Sequence, residues 1–373
     1  MPASTPPRLA LALALALFSC RARSRPPPAG REGPPPAAPP EPAAMTNVLR
    51  ARPDPALSAR VLARRPLLYA AGPAAADDRP AHVRAGSALA WLGGRLAVVQ
   101  DDANFVAFVR PFRGEVSPLT LPAGPGGLRQ FDDVRGNKRH KLDLEASAVV
   151  PAKGGELLLA FGSGSTPARE RVLVLGPTGD APEARLVAAP ALYQGLRANV
   201  AFAGSELNVE GALARGRSLW LFQRGNGAPA GELSPVNATC ELDLDALLDY
   251  LDDPAARPAP SPQRVRAYDL GSYEGLALSF TDATELGGRA LYVAVAEASP
   301  DATRDGPVSA VALGLLGPDE PRYTWLRDEA GRMLTDKVEG LAPDPEHARR
   351  LYAVVDRDEP GSPAELLHIE VAP

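Results

Sequence analysis

The sequence is poor in the residues that build disulfide frameworks, zinc centres and aromatic cores. It holds only two cysteines, Cys20 and Cys240, and four histidines spread along 373 residues. Two cysteines supply no disulfide framework, and the histidines lack the close spacing of a zinc site. Aromatic residues make up 5% of the chain, so a core must come from Leu, Val and Ala. A disulfide-stapled domain and a zinc enzyme are therefore disfavoured.

The N-terminal segment holds one apolar run of limited length. The apolar run Leu9 to Phe18 is too short to span a bilayer as a helix, but it follows Arg8 and has the length of a signal-peptide core. It ends in Leu17-Phe18-Ser19-Cys20, which resembles a bacterial lipobox, although Phe18 is bulkier than that pattern prefers. Residues 1–20 are thus expected to be a lipoprotein signal peptide, with the exported protein lipid-anchored in the cell envelope (periplasm) through Cys20. The alternative is translation from Met45, which would leave the protein cytoplasmic.

The tract Pro26 to Ala43 is rich in Pro and Ala, which predicts an extended tether, and we assign residues 21–55 to a linker. The formal net charge is −5, and the chain after Pro55 is more acidic still because most N-terminal charges are arginines. Such a domain has no electrostatic footprint for nucleic acid or anionic lipid. We expect residues 56–373 to form one monomeric domain whose partners are cations or small polar ligands.

The most informative feature of the sequence is an internal repeat. Four segments share a pattern in which a glutamate precedes small and apolar residues: Leu144-Glu145-Ala146-Ser147-Ala148, Val209-Glu210-Gly211-Ala212-Leu213, Tyr273-Glu274-Gly275-Leu276-Ala277 and Val338-Glu339-Gly340-Leu341-Ala342. Their glutamates are 65, 64 and 65 residues apart. A weaker copy, Gly86 to Ala90, has Ser87 in place of the glutamate.

Each copy is followed by a turn and a short apolar run, a pattern typical of buried strands. These runs are Arg95 to Gln100, Glu156 to Phe161, Ser218 to Gln223, Ala290 to Val295 and Arg350 to Val355. Further runs fit third and fourth strands, and a repeat of about four short strands is a propeller blade. One segment, Glu241 to Leu251, has helical leucine spacing and predicts a short surface helix in the third blade.

The fold class predicted from this repeat is all-β: a single β-propeller, most simply with five blades. The last repeat is too short to supply its outer strand, so Ser58 to Leu62 or Pro66 to Tyr69 is expected to close the ring and remove exposed edges. Six blades would result if Leu57 to Asp77 formed another blade.

The chain also resembles a bacterial family of unknown function. The resemblance rests on Lys141-Leu142-Asp143-Leu144-Glu145 with Gly162-Ser163-Gly164-Ser165, and on Leu207-Asn208-Val209-Glu210-Gly211 with Gln223-Arg224-Gly225-Asn226-Gly227. The repeated Glu-Gly-Leu-Ala and Asp356-Arg357-Asp358 are similar, more distantly, to phytase-like or esterase-like propellers. The second resemblance implies hydrolysis.

The first strand of each propeller blade lines the central channel, so the repeated glutamates are expected to meet near one mouth. We therefore assign ligand binding to Glu145, Glu210, Glu274, Glu339, Arg224 and Asn226. The same reasoning places a metal, by its oxygen ligands Ca²⁺, at Glu210, Glu274, Glu339, Asp101 and Asp356. Glu297 is expected nearby.

Three interpretations of this acidic mouth stay open. The glutamates could lock one blade to the next, either by accepting hydrogen bonds from backbone N–H groups of the neighbouring blade or by pairing with Arg224, Lys141, Lys337 or Arg357, since crowded carboxylates repel unless neutralised. They could bind a cation, or they could support metal-assisted hydrolysis of an ester or phosphoester. No catalytic residue is assigned, because the Gly162-Ser163-Gly164-Ser165 segment lacks nucleophile-elbow spacing and reads as a tight turn.

Overall fold

Antiparallel β-strands that follow one another along the chain make up most of the structure, a computed structural model that describes residues 48–176, 182–304, 306–317 and 320–372. The predicted signal peptide and the predicted tether up to residue 47 lie outside these residues. Within the described part of the chain, no helix has the length and apolar character needed to cross a membrane.

The elements are short. In chain order the strands are β1 Val48–Arg50, β2 Arg52–Pro53, β3 Ser58–Pro66, β4 Gly86–Leu92, β5 Arg95–Gln100, β6 Phe105–Arg110, β7 Glu115–Thr120, β8 Leu144–Ala152, β9 Gly155–Gly162, β10 Arg171–Gly176, β11 Glu183–Ala188, β12 Val209–Arg215, β13 Ser218–Gln223, β14 Asn237–Asp243, β15 Gln263–Asp269, β16 Ser272–Tyr273, β17 Leu276–Leu286, β18 Arg289–Glu297, β19 Val308–Leu315, β20 Arg322–Arg327, β21 Lys337–Pro343, β22 Arg350–Asp356 and β23 Glu365–Ala372. The α-helices are α1 Pro190–Ala198, α2 Val200–Ala203 and α3 Leu244–Asp252.

Consecutive strands pair antiparallel in the orders β4-β5-β6-β7, β8-β9-β10-β11, β12-β13-β14-β15, β17-β18-β19-β20 and β21-β22-β23. The apolar runs predicted as second strands are confirmed as β5, β9, β13, β18 and β22. Tight hairpins join them where glycine permits positive φ: Gly93 and Gly94, between β4 and β5, have φ values of 56° and 72°.

The first strands of neighbouring groups contact one another in sequence: β4 with β8, β8 with β12, β12 with β17, β17 with β21, and β21 with β4. Apolar side chains fill the space between successive groups, as where Leu89 and Val98 meet Ala342 and Val354. Both faces of most strands are thus buried, which explains why the strand sequences are continuously apolar rather than alternating. The chain is a β-propeller.

The N-terminal strands correct one predicted boundary. β1 pairs parallel with β15 and β2 pairs parallel with β20, so residues 48–53 belong to the sheets and not to the linker assigned to residues 21–55. β3 pairs antiparallel with β23 along its length and also touches β20 in parallel. With three and two residues, β1 and β2 are too short for a strand pattern to be recognised in the sequence.

Helices occupy two connections between strands. The predicted helix begins later than expected, at Leu244, because residues 241–243 finish β14. Asp243 caps it by accepting a hydrogen bond from the backbone N–H of Ala246 at 2.9 Å. Its leucine face, including Leu247 and Leu251, is buried as predicted. Helices α1 and α2, between β11 and β12, were not predicted.

Candidate functional site

Each innermost strand contains a β-bulge, near its beginning in four strands and in the middle of β17, and the bulged residues all lie at the same end of the channel. The register shifts of β4, β8, β12, β17 and β21 occur at Ser87, Glu145, Glu210, Thr281 and Glu339. A bulge inserts one residue into the strand and re-aims its side chain. The β-bulge that recurs in these strands therefore determines the direction of the repeated glutamate side chains.

Glu274, predicted as one of the channel glutamates, is not at the channel. It is exposed, with φ of 49°, in the turn between β16 and β17. Thr281 occupies the equivalent bulge, seven residues later. The sequence did hold a signal, because Glu145, Glu210 and Glu339 precede the next apolar run by 8 to 11 residues whereas Glu274 precedes it by 16. The prediction of Glu274 as a ligand-binding and metal-binding residue is therefore wrong.

The glycine after two of the glutamates is required by close approach of the inner strands. A Cβ on Gly340 would come within 2.8 Å of the backbone of Ala88 and Leu89, and one on Gly211 within 3.1 Å of the backbone of Asp282. Neither backbone can move without displacing a neighbouring strand. This explains the Glu-Gly pair of the repeat.

The two bulges without glutamate join neighbouring strands directly. Ser87 Oγ donates to the carbonyl oxygen of Leu144 at 2.5 Å, and Thr281 Oγ1 donates to that of Val338 at 2.6 Å. Each acceptor immediately precedes a bulged glutamate of the next inner strand. The hydroxyl groups of Ser87 and Thr281 therefore join neighbouring inner strands, whereas the three glutamates face the channel.

Arg224 is a buried cation at the centre of this channel mouth. It follows β13, and its guanidinium donates to Glu297 at the end of β18. Its Nη1 lies 3.4 Å from Oε1 of Glu210 and 4.0 Å from Oε1 of Glu339. The side chains of these four residues are at most 5% exposed. The interpretation of Arg224 as an intramolecular partner of channel glutamates is confirmed.

Lys141 lies between two carboxylates on the other side of the mouth. Its Nζ is 2.6 Å from Oδ2 of Asp101 and 2.5 Å from Oδ1 of Asp143. Asp101, Asp143 and Glu145 each offer an oxygen within 4.8 Å of the others, a spacing that could hold a metal ion. The ammonium group of Lys141 is already paired with two of the three, Asp101 and Asp143.

The Gly162-Ser163-Gly164-Ser165 segment positions Asp143. Ser163 Oγ donates to Oδ2 of Asp143, and Ser165 Oγ accepts from Nη1 of Arg169 at 2.7 Å. Arg169 in turn lies 2.9 Å from Oδ2 of Asp143. Gly164 has φ of 74°, as a tight turn requires. The segment is a tight turn, as predicted. Its support of the site through Asp143, and the roles of Asp143 and Arg169, were not predicted.

Burial and crowding shift the pKa of several of these groups. Burial, together with the charges of Asp101 and Asp143, raises the pKa of Glu145 well above its usual range. Burial raises the pKa of Glu339 and of Asp356 in the same way, against the opposing charge of Lys337. Burial also acts on Asp143, but Lys141 and Arg169 outweigh it, so the pKa of Asp143 is lowered.

The mouth carries more carboxyl groups than basic groups among the described residues. Seven carboxyl groups surround it, those of Asp101, Asp143, Glu145, Glu210, Glu297, Glu339 and Asp356, and they meet the four basic side chains of Lys141, Arg169, Arg224 and Lys337.

Two cavities open at the mouth. The inner one, about 20 Å³, is lined by the three bulged glutamates with Asn208 and Asn226, and also by the basic side chains of Lys141, Arg169, Arg224 and Lys337. The outer one, about 230 Å³, shares Asp101 and Lys141 with it and also reaches Asp102 and Asp356. A volume near 20 Å³ accommodates roughly one water-sized particle. The inner cavity therefore has room for a single ion or water-sized particle, and the outer cavity has a much larger volume.

Five buried oxygens at the inner cavity have no hydrogen-bond donor among the described residues: Oδ1 of Asp101, Oδ1 of Asp143, Oδ1 of Asn208 and both carboxylate oxygens of Glu339. Oδ1 of Asp143 and Oε1 of Glu339 nevertheless lie within ion-pair distance of Lys141 and Lys337. Asn208 and Glu339 are 1% and 2% exposed. Asn208 Nδ2 donates to Oε1 of Glu210 at 2.7 Å and to Oδ1 of Asn226 at 3.2 Å, which fixes the amide with its oxygen turned away from both. A buried acceptor without a donor is costly.

The predicted residues thus divide into three groups. Glu145, Glu210, Glu339, Arg224 and Asn226 meet at the inner cavity, and Asp101 borders both cavities. Asp356 lines the outer cavity only, within the described residues. Glu274 lies elsewhere.

The chain matches a family described as a family of unknown function, DUF6929, over residues 82–371. The chain belongs to the DUF6929 family. The matched span contains every residue of the mouth named above, from Ser87 to Asp356. No curated protein matches the chain.

Among solved structures, this DUF6929 chain is similar to several proteins at low identity. A GH43 β-1,3-galactosidase, solved with galactodeoxynojirimycin, has a TM-score of 0.46 and 9% identity, with 82% of this chain and 93% of that chain covered. The PQQ domain of a pyranose dehydrogenase from Coprinopsis cinerea has a TM-score of 0.35 and 12% identity, with 86% and 100% covered. At these values neither similarity transfers an activity to this chain.

Proposed function

We propose that the protein binds a divalent cation, Ca²⁺ by its ligand chemistry, in the inner cavity at the mouth of its propeller channel. The observation that carries the proposal is a cavity of ionic size walled by Glu145, Glu210 and Glu339, with oxygens of Glu339 and Asn208 that lack a donor among the described residues. Carboxylate and amide oxygens are the ligands that Ca²⁺ prefers.

Size favours an ion over an organic ligand in this cavity. Pockets for small organic molecules occupy roughly 300–1,000 Å³, far more than the 20 Å³ found here. The excess of carboxyl groups over basic groups supplies the negative charge that a divalent ion needs. An ion would therefore fit the cavity both in its size and in its charge.

The position within the mouth follows from the basic side chains. Asp101 and Asp143 are already paired with the ammonium of Lys141, so a cation there would have to displace it. On the other side, Lys337 and Arg224 approach Oε1 of Glu339, at 3.2 Å and 4.0 Å. This leaves Oε2 of Glu339 and Oδ1 of Asn208 as the available ligands. We therefore place the ion beside Glu339, Glu210 and Asn208, with Glu145 adjacent, and omit Asp101 and Asp356 from its direct ligands.

A thermal unfolding experiment tests this proposal. A ligand that binds only the folded protein raises its melting temperature, so CaCl₂ should stabilise chelator-treated protein. Glu339→Gln should abolish most of that increase, because it removes a charged ligand while keeping the shape of the side chain. The matched control is Glu274→Gln, the same change at the exposed turn, which should respond to CaCl₂ as the wild type does. An equal response of Glu339→Gln and the wild type would refute the site.

Hydrolysis of an ester or phosphoester is the second candidate, and one observation favours it. Asp102 borders the 230 Å³ outer cavity, where burial and the neighbouring charge of Asp101 raise its pKa to about 7. A carboxyl group with such a pKa can give or take a proton near neutral pH. Chromogenic acetate and phosphate esters, assayed with wild type and Asp102→Asn, test it: activity lost in the variant supports hydrolysis, and its absence from both removes this candidate.

We also propose that the propeller has five blades and that β3 is the outer strand of the last blade. The closed series of contacts among β4, β8, β12, β17 and β21 supports the number. The long pairing of β3 with β23 supports closure by an N-terminal strand. Such closure covers the edge of β23, which would otherwise be exposed.

Export and anchoring through Cys20 remain a prediction from the sequence. The support is the apolar run that ends in Leu17-Phe18-Ser19-Cys20. An anchored propeller would present its channel to the envelope compartment at the end of the Pro/Ala tract.

A further inference from the structure

A third cavity, at the opposite end of the inner strands, combines an aromatic wall with polar groups. It has a volume of about 340 Å³ and lies between the turn that joins β6 and β7 and the loop that follows β21. Asp344, in this loop, comes five residues after Glu339, which is about 16 Å along an extended strand. The groove is thus remote from the channel mouth, and nothing argued for it depends on cation binding there.

One wall of the groove is aromatic and partly open to solvent. Phe112 is 56% exposed, and its ring meets that of Tyr352 edge to face with centroids 6.4 Å apart. The apolar side chains of Leu67, Val109 and Val116 continue this wall. A large ring left in solvent beside an apolar wall offers a contact surface for a flat apolar body.

The polar end of the groove is built around one buried carboxylate. Oδ2 of Asp344 lies 3.0 Å from Nδ1 of His347 and 2.9 Å from Nε2 of His368, and its side chain is fully buried. The ring of His368 also stacks on Tyr352, with centroids 4.8 Å apart. Two of the four histidines are therefore fixed in orientation at the groove, each with its second ring nitrogen directed away from Asp344.

Two neighbouring arginines, Arg64 and Arg65, bring positive charge to the groove, and they differ in their surroundings. Arg64 is held by the carboxylates of Glu329, Asp336 and Glu365. Arg65 is exposed, and its hydrogen bond to the carbonyl oxygen of Pro111, at 3.3 Å, is to a neutral group. No carboxylate pairs with Arg65 among the described residues. Its planar guanidinium can hold an acidic group through two parallel hydrogen bonds.

We infer that this groove is a binding site for a small molecule with an aromatic body and an acidic group. The aromatic body packs against Phe112 and Tyr352, and the acidic group pairs with Arg65. The volume lies within the range of roughly 300–1,000 Å³ found for small-molecule pockets. The fixed imidazoles of His347 and His368 supply the few placed polar groups that orient a ligand in such sites. Glu346, exposed at the rim, selects against a second negative charge.

Fluorescence titration with 8-anilinonaphthalene-1-sulfonate, an aromatic anion, tests the inference on the folded full-length protein. We expect one bound probe per chain. Arg65→Gln should weaken binding about tenfold, as expected for loss of a charge-assisted hydrogen bond, and Phe112→Ala should weaken it by a similar factor. The matched control is Arg113→Gln, at an exposed arginine of the same turn that does not line the groove, which should bind as the wild type does.

Two further measurements separate this site from nonspecific adsorption. Neutral N-phenyl-1-naphthylamine, which has a similar body without the acid, should bind more weakly to the wild type and be insensitive to Arg65→Gln. Unchanged melting temperatures show that Arg65→Gln and Phe112→Ala remain folded, since both side chains are exposed. The inference is overturned if Arg65→Gln binds the anionic probe like the wild type, or if the neutral probe binds the wild type as tightly.

Discussion

Arg224 donates a hydrogen bond to Glu297 from one strand group to the next, and the two side chains are 2% and 1% exposed. Removing one partner of such a buried pair leaves an uncompensated charge. Arg224→Met should therefore lower the free energy of unfolding by about 3–5 kcal/mol, as measured by urea denaturation.

A surface pair provides the control for this measurement. Arg217 pairs with Asp245 where both side chains are more than half exposed, so Arg217→Met should cost less than about 1 kcal/mol. Similar losses for the two arginines would show that the channel mouth does not connect the strand groups.

The stability of the protein should depend on pH through the buried carboxyl groups. The folded state raises the pKa of Glu145, Glu339 and Asp356, so above about pH 4, where unfolded carboxyl groups ionise, these three groups bind more protons in the folded protein than in the unfolded one. Their contribution to the free energy of unfolding then falls as pH rises through the raised pKa values. Without added cations, Glu339→Gln should show a smaller fall from about pH 5 to pH 8 than the wild type.

Exposed Glu274 supplies the matched control here as well. Glu274→Gln should follow the wild-type pH dependence, because this side chain lies in a solvent-exposed turn. Parallel curves for Glu339→Gln and the wild type would contradict the raised pKa of Glu339.

Sequence reasoning found the fold more reliably than the site. Strands such as Arg95–Gln100 and Ser218–Gln223 were predicted at their observed bounds because both faces are buried and turns punctuate them. Glu274 was placed wrongly because a turn and a bulge can carry the same Glu-Gly pair, and only its longer spacing to the next apolar run set it apart in the sequence. Asp143 and Arg169 were missed because their importance arises from contacts between distant loops.

Removing β3 should destabilise the whole propeller if that strand closes the ring. A variant that begins at Pro80 lacks β1, β2 and β3, exposes the edge of β23 and loses the core contacts of Val61. Its melting temperature should fall well below that of the full-length protein. A variant that begins at Val48 keeps all three strands and should melt like the full-length protein. Equal melting of the Pro80 variant would refute closure by β3.

Anchoring through Cys20 is tested by fractionation. Cys20→Ser removes the thiol that acylation requires, so the protein should move from the membrane fraction to the soluble fraction of the native host. Cys240→Ser is the control, because that cysteine is buried in the propeller and should not affect fractionation. A native product that begins at Met45 would contradict export.

Calcium binding measured by isothermal titration calorimetry tests the central claim most directly. Chelator-treated wild-type protein at about pH 8 should bind one Ca²⁺ per chain, and Glu274→Gln should bind it equally well. Glu339→Gln should weaken binding about tenfold or more, as loss of an interaction worth about 1.4 kcal/mol or more would. The absence of Ca²⁺ binding by the wild type, or unchanged binding by Glu339→Gln, would contradict a cation site among the bulged glutamates.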